Sequence, residues 1–223
     1  MQNNKKEDMD IEKVVCGIVK HYVWDNNEMF EKYIPTMDEE SQFKGSDYIL
    51  SDYEGKYKNL VVDEKAAYTY VNKYLNTFAM ETSSINAIGK IEDGWFLKEG
   101  LITDAYAFVW PIEADVPKLP NKHFWDYTKI SIDTIKEFEV ILVLKKAIFD
   151  YLASIGLTVD EIRKITNKIR ERGYVTRDEY NMKNGVCFRY GTHRNDREIP
   201  VNMLLSKPLL KDLSIYRKFL TTK

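Results

Sequence analysis

From residue 9 to about residue 30, apolar side chains recur at three- and four-residue steps: Ile11, Val14, Val15, Ile18, Val19, Tyr22 and Val23. That period predicts an amphipathic helix. Pro35 and the acidic run after it mark a loop, and the pattern then turns to alternation. Residues 43–67, FKGSDYILSDYEGKYKNLVVDEKAA, read as a hairpin: a strand opening on Asp47, a turn at Glu54 and Gly55, and an apolar strand ending in Asp63, Glu64 and Lys65. Residues 66–76 carry enough Ala, Leu and Lys for a short helix. Three more strands are expected at TFAMETSSI, GWFL and TDAYAFVWPI, the last ended by Pro111. Residues 114–131, with Pro117 and Pro120, form a loop.

The C-terminal part has a different character. An apolar strand over 138–144 leads into the helix KKAIFDYLASIG, ended by Gly156. Thr158 and Glu161 make a capping box for a second helix that runs to about Arg172, so the pair has the form of a helix-turn-helix. GVCFRYG is a strand, NDRE a turn and IPVNMLL another strand. One long helix, several strands and then mixed elements predict an α/β fold of the α+β kind, with helices around a central mixed sheet. The expected division is a core over 1–140 and a helical and strand extension over 141–223 packed on it, the two able to form one domain.

At 223 residues, with 44% apolar and 13% aromatic content, the chain is long enough for a substantial core. Its charges nearly balance at a net −2, so any nucleic-acid surface must be local. Cys16 and Cys187 follow no zinc or CxxC spacing and read as reduced core thiols, which suits a reducing compartment. The polar start MQNNKKEDMDIEK has no apolar h-region, and no apolar run approaches the ~20 residues of a membrane span. The expected location is the cytosol. Without a Gly-rich phosphate loop, GxSxG or HExxH, nucleotide hydrolases, serine hydrolases and zinc proteases gain no support.

The chemistry concentrates at the hairpin. Along a strand, side chains alternate faces, so Asp63 and Lys65 point the same way roughly 6 to 7 Å apart while Glu64 points to the other face. If the hairpin brings Asp47 beside them, two acids and a lysine converge. Hydrolysing a phosphodiester needs a nucleophile made at neutral pH and stabilisation of charge on phosphorus, and a divalent cation can serve both. Mg²⁺ takes one or two carboxylates plus waters and phosphate oxygens. Asp47 and Asp63 would supply the carboxylates, and Lys65 would orient the attacking water or stabilise the developing charge. The bland alternative is a surface ion pair at a strand end, worth about 0 to 1 kcal/mol.

An acid at the start of one strand, a hairpin, and apolar-apolar-Asp-x-Lys at the end of the next resembles the PD-(D/E)XK nuclease superfamily. The convincing likeness covers about residues 40–112, and VVDEKAAYTYVNKYLNTFAMETSS is similar to bacterial restriction-endonuclease-like proteins with a DEKA signature. Ser46 stands where a proline would precede the first acid. The resemblance implies a restriction-endonuclease-like core and a metal-dependent endonuclease using Mg²⁺ or Mn²⁺. It further implies DNA in preference to RNA, a possible homodimer, and a place in restriction or defence. It assigns Asp47 and Asp63 as metal ligands together with the Glu64 backbone carbonyl, and Lys65 as the catalytic lysine. A shifted frame takes Asp63 as the lone acid and Glu81 as the strand acid, with Ser83 in the lysine's place. Glu81 could also reach the metal from a neighbouring strand. An N-terminal-helix glutamate often joins such sites; Glu12, Glu28 and Glu31 are candidates, with Glu31 nearest the hairpin in sequence. The alternatives are a catalytically silent protein of this fold that binds nucleic acid or a protein partner, and an RNA-directed nuclease.

Elsewhere, Arg163, Lys164, Lys168 and Arg170 make the 160–172 helix the local candidate for nucleic-acid phosphate contacts, with Arg189, Arg194 and Arg197 as additions. Asp160, Glu161 and Glu171 dilute its field. Asp104 reads as a strand-capping acid at the sheet edge. Trp95, Phe96, Tyr106, Phe108 and Trp110 read as core. His21, His123 and His193 have no ligand spacing; only His193 lies in an arginine-rich context.

Overall fold

The structure, a computed structural model, describes residues 3–25, 27–85, 88–119, 124–191 and 199–222, with backbone only for residues 3–8. His123, His193, Arg194, Arg197 and the NDRE turn lie outside the described residues. In chain order the elements are α1 (Asn3–Val19), β1 (Phe30–Pro35), α2 (Glu39–Phe43), β2 (Tyr48–Asp52), β3 (Leu60–Ala66), β4 (Thr77–Ile85), β5 (Ile91–Asp93), β6 (Ala105–Ala114) and β7 (Ile135–Leu144). They continue as α3 (Lys145–Ser154), α4 (Val159–Arg172), α5 (Arg177–Tyr180), β8 (Val186–Tyr190), β9 (Val201–Ser206), α6 (Lys207–Asp212) and β10 (Ser214–Thr221). The class is mixed α/β, as the hydrophobic pattern predicts.

The chain forms two compact units, one from residues 1–75, 102–145 and 214–223, the other from 76–101 and 146–213. A cut at residue 140 therefore does not separate them: β4 and β5 belong to the second unit, and β10 returns to the first. The reason is pairing. β10 completes its hydrogen bonds on β7, and β4 completes its own on β9.

The first unit carries a six-stranded sheet in the order β1-β2-β3-β6-β7-β10. β1, β2 and β3 form an antiparallel meander, β6 lies parallel to β3, and β7 and β10 add antiparallel strands. Ile11, Val15, Ile18 and Val19 recur along one face of α1 and are buried against Tyr48, Leu50, Val62, Ala105, Ala107, Val109, Val140 and Leu142. Every one of those strand residues falls on one face of its strand, so α1 covers one face of the sheet. The intervening residues Asp63, Lys65, Tyr106, Phe108, Ile141 and Val143 belong to the other face.

The hairpin forms as its alternation predicts, and Asp52 explains its turn. The Asp52 carboxylate accepts the N–H groups of Lys56 and Tyr57 at 3.2 and 2.9 Å, and Gly55 takes a left-handed φ of 71°. The first helix stops short of its expected end. After a π-helical turn at Lys20–Trp24, Asn27 donates to the Val23 carbonyl and accepts the N–H groups of Met29 and Phe30. That side chain substitutes for helical bonds and turns the chain into β1.

Residues 66–76 hold only a 3-10 turn at Tyr68–Tyr70, because Asn72 takes φ 58° and its amide is drawn to the main chain of Ala114. β6 continues through Pro111 to Ala114, where a register shift accommodates the missing N–H.

The second unit has the antiparallel sheet β5-β4-β9-β8. α3 ends before Gly156 (φ 84°), and the Thr158 hydroxyl caps α4 by accepting the Glu161 N–H at 3.3 Å. Glu161 gives its carboxylate to Lys164 rather than closing the capping box. Ile162, Thr166 and Ile169 of α4 are buried, and Thr166 donates to Thr82 of β4 at 3.0 Å. GWFL is a turn rather than a strand: Leu97 bonds back to Gly94, and Phe96 stacks on Phe149 at 4.8 Å between ring centroids. Among the described residues no helix is long and apolar enough to cross a membrane.

Candidate active site

In the first unit, Asp47 stands one residue before β2, beside Tyr48, which pairs with Val62 of β3. Its main-chain N–H donates to the Val62 carbonyl at 2.8 Å, which pins the residue at the strand end. The Asp47 carboxylate accepts the Glu64 N–H at 2.6 Å and touches the Asp63 side chain. Lys65, on the same face as Asp63, sets its ammonium 2.7 Å from the Asp63 carboxylate. The three residues expected at the hairpin therefore converge. Asp63 itself is buried, at 5% side-chain exposure, so this is no solvent-screened strand-end pair.

The electrostatics follow from that burial. Asp47 is pushed up to about 6, first by desolvation and then by Asp63, with Lys65 and the Glu64 N–H pulling the other way. Burial alone would lower the Lys65 pKa, but Asp63, followed by Asp47 and Glu12, raises it above the ordinary lysine value. Lys65 is therefore a fixed cation at neutral pH. Tyr106, paired with Asp63 in the β3–β6 register, has its phenol pushed up by burial and by the Asp63 charge.

Glu64 points to the α1 face, as alternation requires, and accepts from the Tyr48 hydroxyl at 3.2 Å. Desolvation and then Asp47 raise it to about 8. Its main-chain N–H faces β2, and within a strand a residue's N–H and C=O face the same side. By that rule the Glu64 carbonyl lies on the β2 side of β3. Tyr48 stacks near Tyr33 at 4.8 Å, and the Tyr33 hydroxyl lies 3.7 Å from Cys16. Cys16 is free and pushed up to about 12 by burial and by Glu64, and Cys187 is free and buried, so both are core thiols.

Of the helix glutamates, Glu12 on α1 is the one whose charge acts on Lys65. Glu31 instead lies on β1 beside Lys32 at 3.7 Å, and Glu28 acts on Tyr216. Closeness in sequence to the hairpin favours Glu31, whereas the helix charge felt by Lys65 is that of Glu12. The shifted frame draws on residues of the second unit. Glu81 and Ser83 lie on β4, which is in the other sheet and is no neighbour of β3, whose partners are β2 and β6. Ser83 accepts from Arg170 at 2.5 Å, and the Glu81 carbonyl accepts from Phe96 at 3.1 Å.

The basic helix is partly spoken for within its unit. Arg163 pairs with Asp93 at 2.8 Å and Glu99 at 3.1 Å, Arg170 turns inward to Ser83, and Lys164 pairs with Glu161 at 3.3 Å. Lys168 is exposed. Arg189 donates to the Tyr180 carbonyl and lies over its ring. Asp104 does cap a strand, accepting the Val61 N–H at 3.0 Å, but between two interior strands rather than at the sheet edge. Lys145, which no motif announces, feels the charges of Asp63 and Asp104. Only the β6–β7 register brings it there.

Among the described residues no group of three or more His, Cys, Asp and Glu side chains is arranged to hold a metal ion. No protein-family model, curated protein or solved structure matches the chain. The functional reading therefore rests on the chain's own geometry and chemistry.

Proposed function

We propose that this protein is a metal-dependent endonuclease of the PD-(D/E)XK kind that hydrolyses phosphodiester bonds of nucleic acid, with DNA preferred on the strength of the resemblance. The observation that carries the reading is the convergence of Asp47, Asp63 and Lys65 at the end of one hairpin, with Asp63 buried and Lys65 2.7 Å from it. The topology supports it too: a helix against a three-stranded antiparallel meander, then a crossover to a strand parallel to the one bearing Asp63 and Lys65.

The donor set fits Mg²⁺ or Mn²⁺ rather than an ion that needs a closed protein cage. Two carboxylates and the Glu64 carbonyl offer hard oxygens and leave room for water and phosphate. The upward push on Asp47 comes first from desolvation and then from the neighbouring Asp63 charge, and a bound cation would offset both. Once bound there, the ion supplies an activated water and polarises a phosphoryl oxygen. Asp47 and Asp63 would hold and orient it. Lys65, charged at neutral pH, positions the attacking water or stabilises negative charge on the phosphorus oxygens.

The test is cleavage of supercoiled plasmid, linear duplex, single-stranded DNA and RNA with Mg²⁺, Mn²⁺ or EDTA. Cleavage with either ion and none in EDTA is expected. Robust cutting in EDTA overturns the mechanism, and no cutting of any substrate leaves a silent member of the fold.

A further inference from the structure

We propose that Lys145 is a substrate-contacting residue of this centre, its ammonium holding a backbone phosphate oxygen on the side of Asp63 opposite Lys65. The inference rests on the nuclease reading of Asp47, Asp63 and Lys65.

The register of the sheet carries it. Asp63 pairs with Tyr106 across β3 and β6, and Tyr106 pairs with Val143 across β6 and β7. Paired residues share a face, and so do residues two apart on one strand. Lys145 is two positions past Val143, and its N–H extends the ladder by donating to the Asp104 carbonyl at 2.8 Å. Although Lys145 opens α3, this bond carries the β6–β7 register one pair further, and that register assigns it to the Asp63 face. Because β7 runs antiparallel to β6, and β6 parallel to β3, the step from Val143 to Lys145 runs opposite to the step from Asp63 to Lys65. Lys65 lies two positions from Asp63 along β3 itself, and Lys145 lies in the other direction and two strands across, beyond β6.

The two lysines differ in what holds them. Lys65 is clamped by Asp63 at 2.7 Å. Lys145 is half-buried, and among the described residues no ion pair holds it. Asp104, whose carbonyl accepts the Lys145 N–H, directs a carboxylate oxygen to the Val61 N–H. Burial pulls the Lys145 pKa down, while Asp63 and Asp104 pull it up. The adjacent Lys146, by contrast, is exposed and paired with Asp150 at 2.6 Å. A partly desolvated ammonium with no close counter-ion is costly in the free protein, and an anionic ligand removes that cost. The anion that fits beside two acids and a cation site is a phosphodiester, which would bring its own negative charge to Lys145.

The experiment compares wild type with Lys145→Gln, Lys145→Arg and, as a control, Lys146→Gln. Cleavage of a labelled duplex is followed with Mg²⁺, and binding of the same duplex is followed in EDTA by fluorescence anisotropy over a range of salt. Lys145→Gln is expected to lower kcat/KM about 100-fold and to reduce the slope of log affinity against log salt by about one. Lys145→Arg is expected to recover most of both, and Lys146→Gln to match wild type. If wild type cuts and Lys145→Gln cuts and binds like Lys146→Gln, this inference falls and the nuclease reading stands. If wild type cuts nothing with any ion, both fall.

Discussion

Replacing Glu64 by glutamine tests the electrostatics of the site without requiring any activity. Glu64 accepts from the Tyr48 hydroxyl, and its pKa rises from an ordinary 4.5 to about 8, through burial first and the Asp47 charge second. Below about pH 4.5 the carboxyl is protonated in both folded and unfolded chains and costs nothing. As pH climbs toward 8 the unfolded chain ionises freely while the folded chain resists, so stability declines through that window and levels off above it. For an isolated group, moving the pKa from 4.5 to about 8 sets a ceiling of about 5 kcal/mol. Glu64 is only half-buried, so solvent screens part of this and the portion that glutamine recovers is on the order of 2 kcal/mol. In the Glu64→Gln variant the introduced amide still accepts from Tyr48 and carries no charge. Urea melts of both proteins from pH 5 to pH 9 should nearly coincide at pH 5. The variant should then gain steadily on wild type, reaching about 2 kcal/mol at pH 9. Parallel pH profiles would refute the account of Glu64 as a desolvated acid that feels the Asp47 charge.

Two other outcomes follow from burial and packing. Cys16, pushed from 9.0 to about 12, should react with a thiol reagent at pH 8 roughly 1000-fold more slowly in the folded protein than in urea; stopped-flow absorbance reads the two rates, and equal rates would contradict the placement of the thiol. In the second unit, a Cβ on Gly94 would come 2.4 Å from the Glu81 carbonyl oxygen. Gly94→Ala should cost about 2–3 kcal/mol in urea unfolding, and a neutral effect would show that the turn is not packed on β4.

The hairpin was legible because its signals are local. Alternation, a turn held by Asp52, and a strand ending in Asp63 and Lys65 all lie within one short stretch, and local pattern dictates them. What the sequence concealed depends on pairing between distant strands. Nothing near Lys145 refers to Asp63; only the parallel β3–β6 pair and the antiparallel β6–β7 pair connect them. β10 is likewise defined by its partner β7 rather than by its own pattern. Glu81 misled for the converse reason: it follows Asp63 closely in sequence on a sound strand, but that strand finds its partners in β5 and β9. Arg163 and Arg170 show the same limit, since a helix pattern gives their charge but not the Asp93, Glu99 and Ser83 that take it up.

The central claim is that Asp47 and Asp63 hold a divalent ion for Lys65 to work beside. Calorimetric titration of Mn²⁺, paired with duplex cleavage on the same samples, tests it most directly. Wild type should bind Mn²⁺ and cut, and Asp47→Asn with Asp63→Asn should do neither. Lys65→Met should still bind Mn²⁺ while its cleavage falls by about 100- to 1000-fold. Unchanged Mn²⁺ binding in the double asparagine variant, or full cleavage without Lys65, would contradict the account.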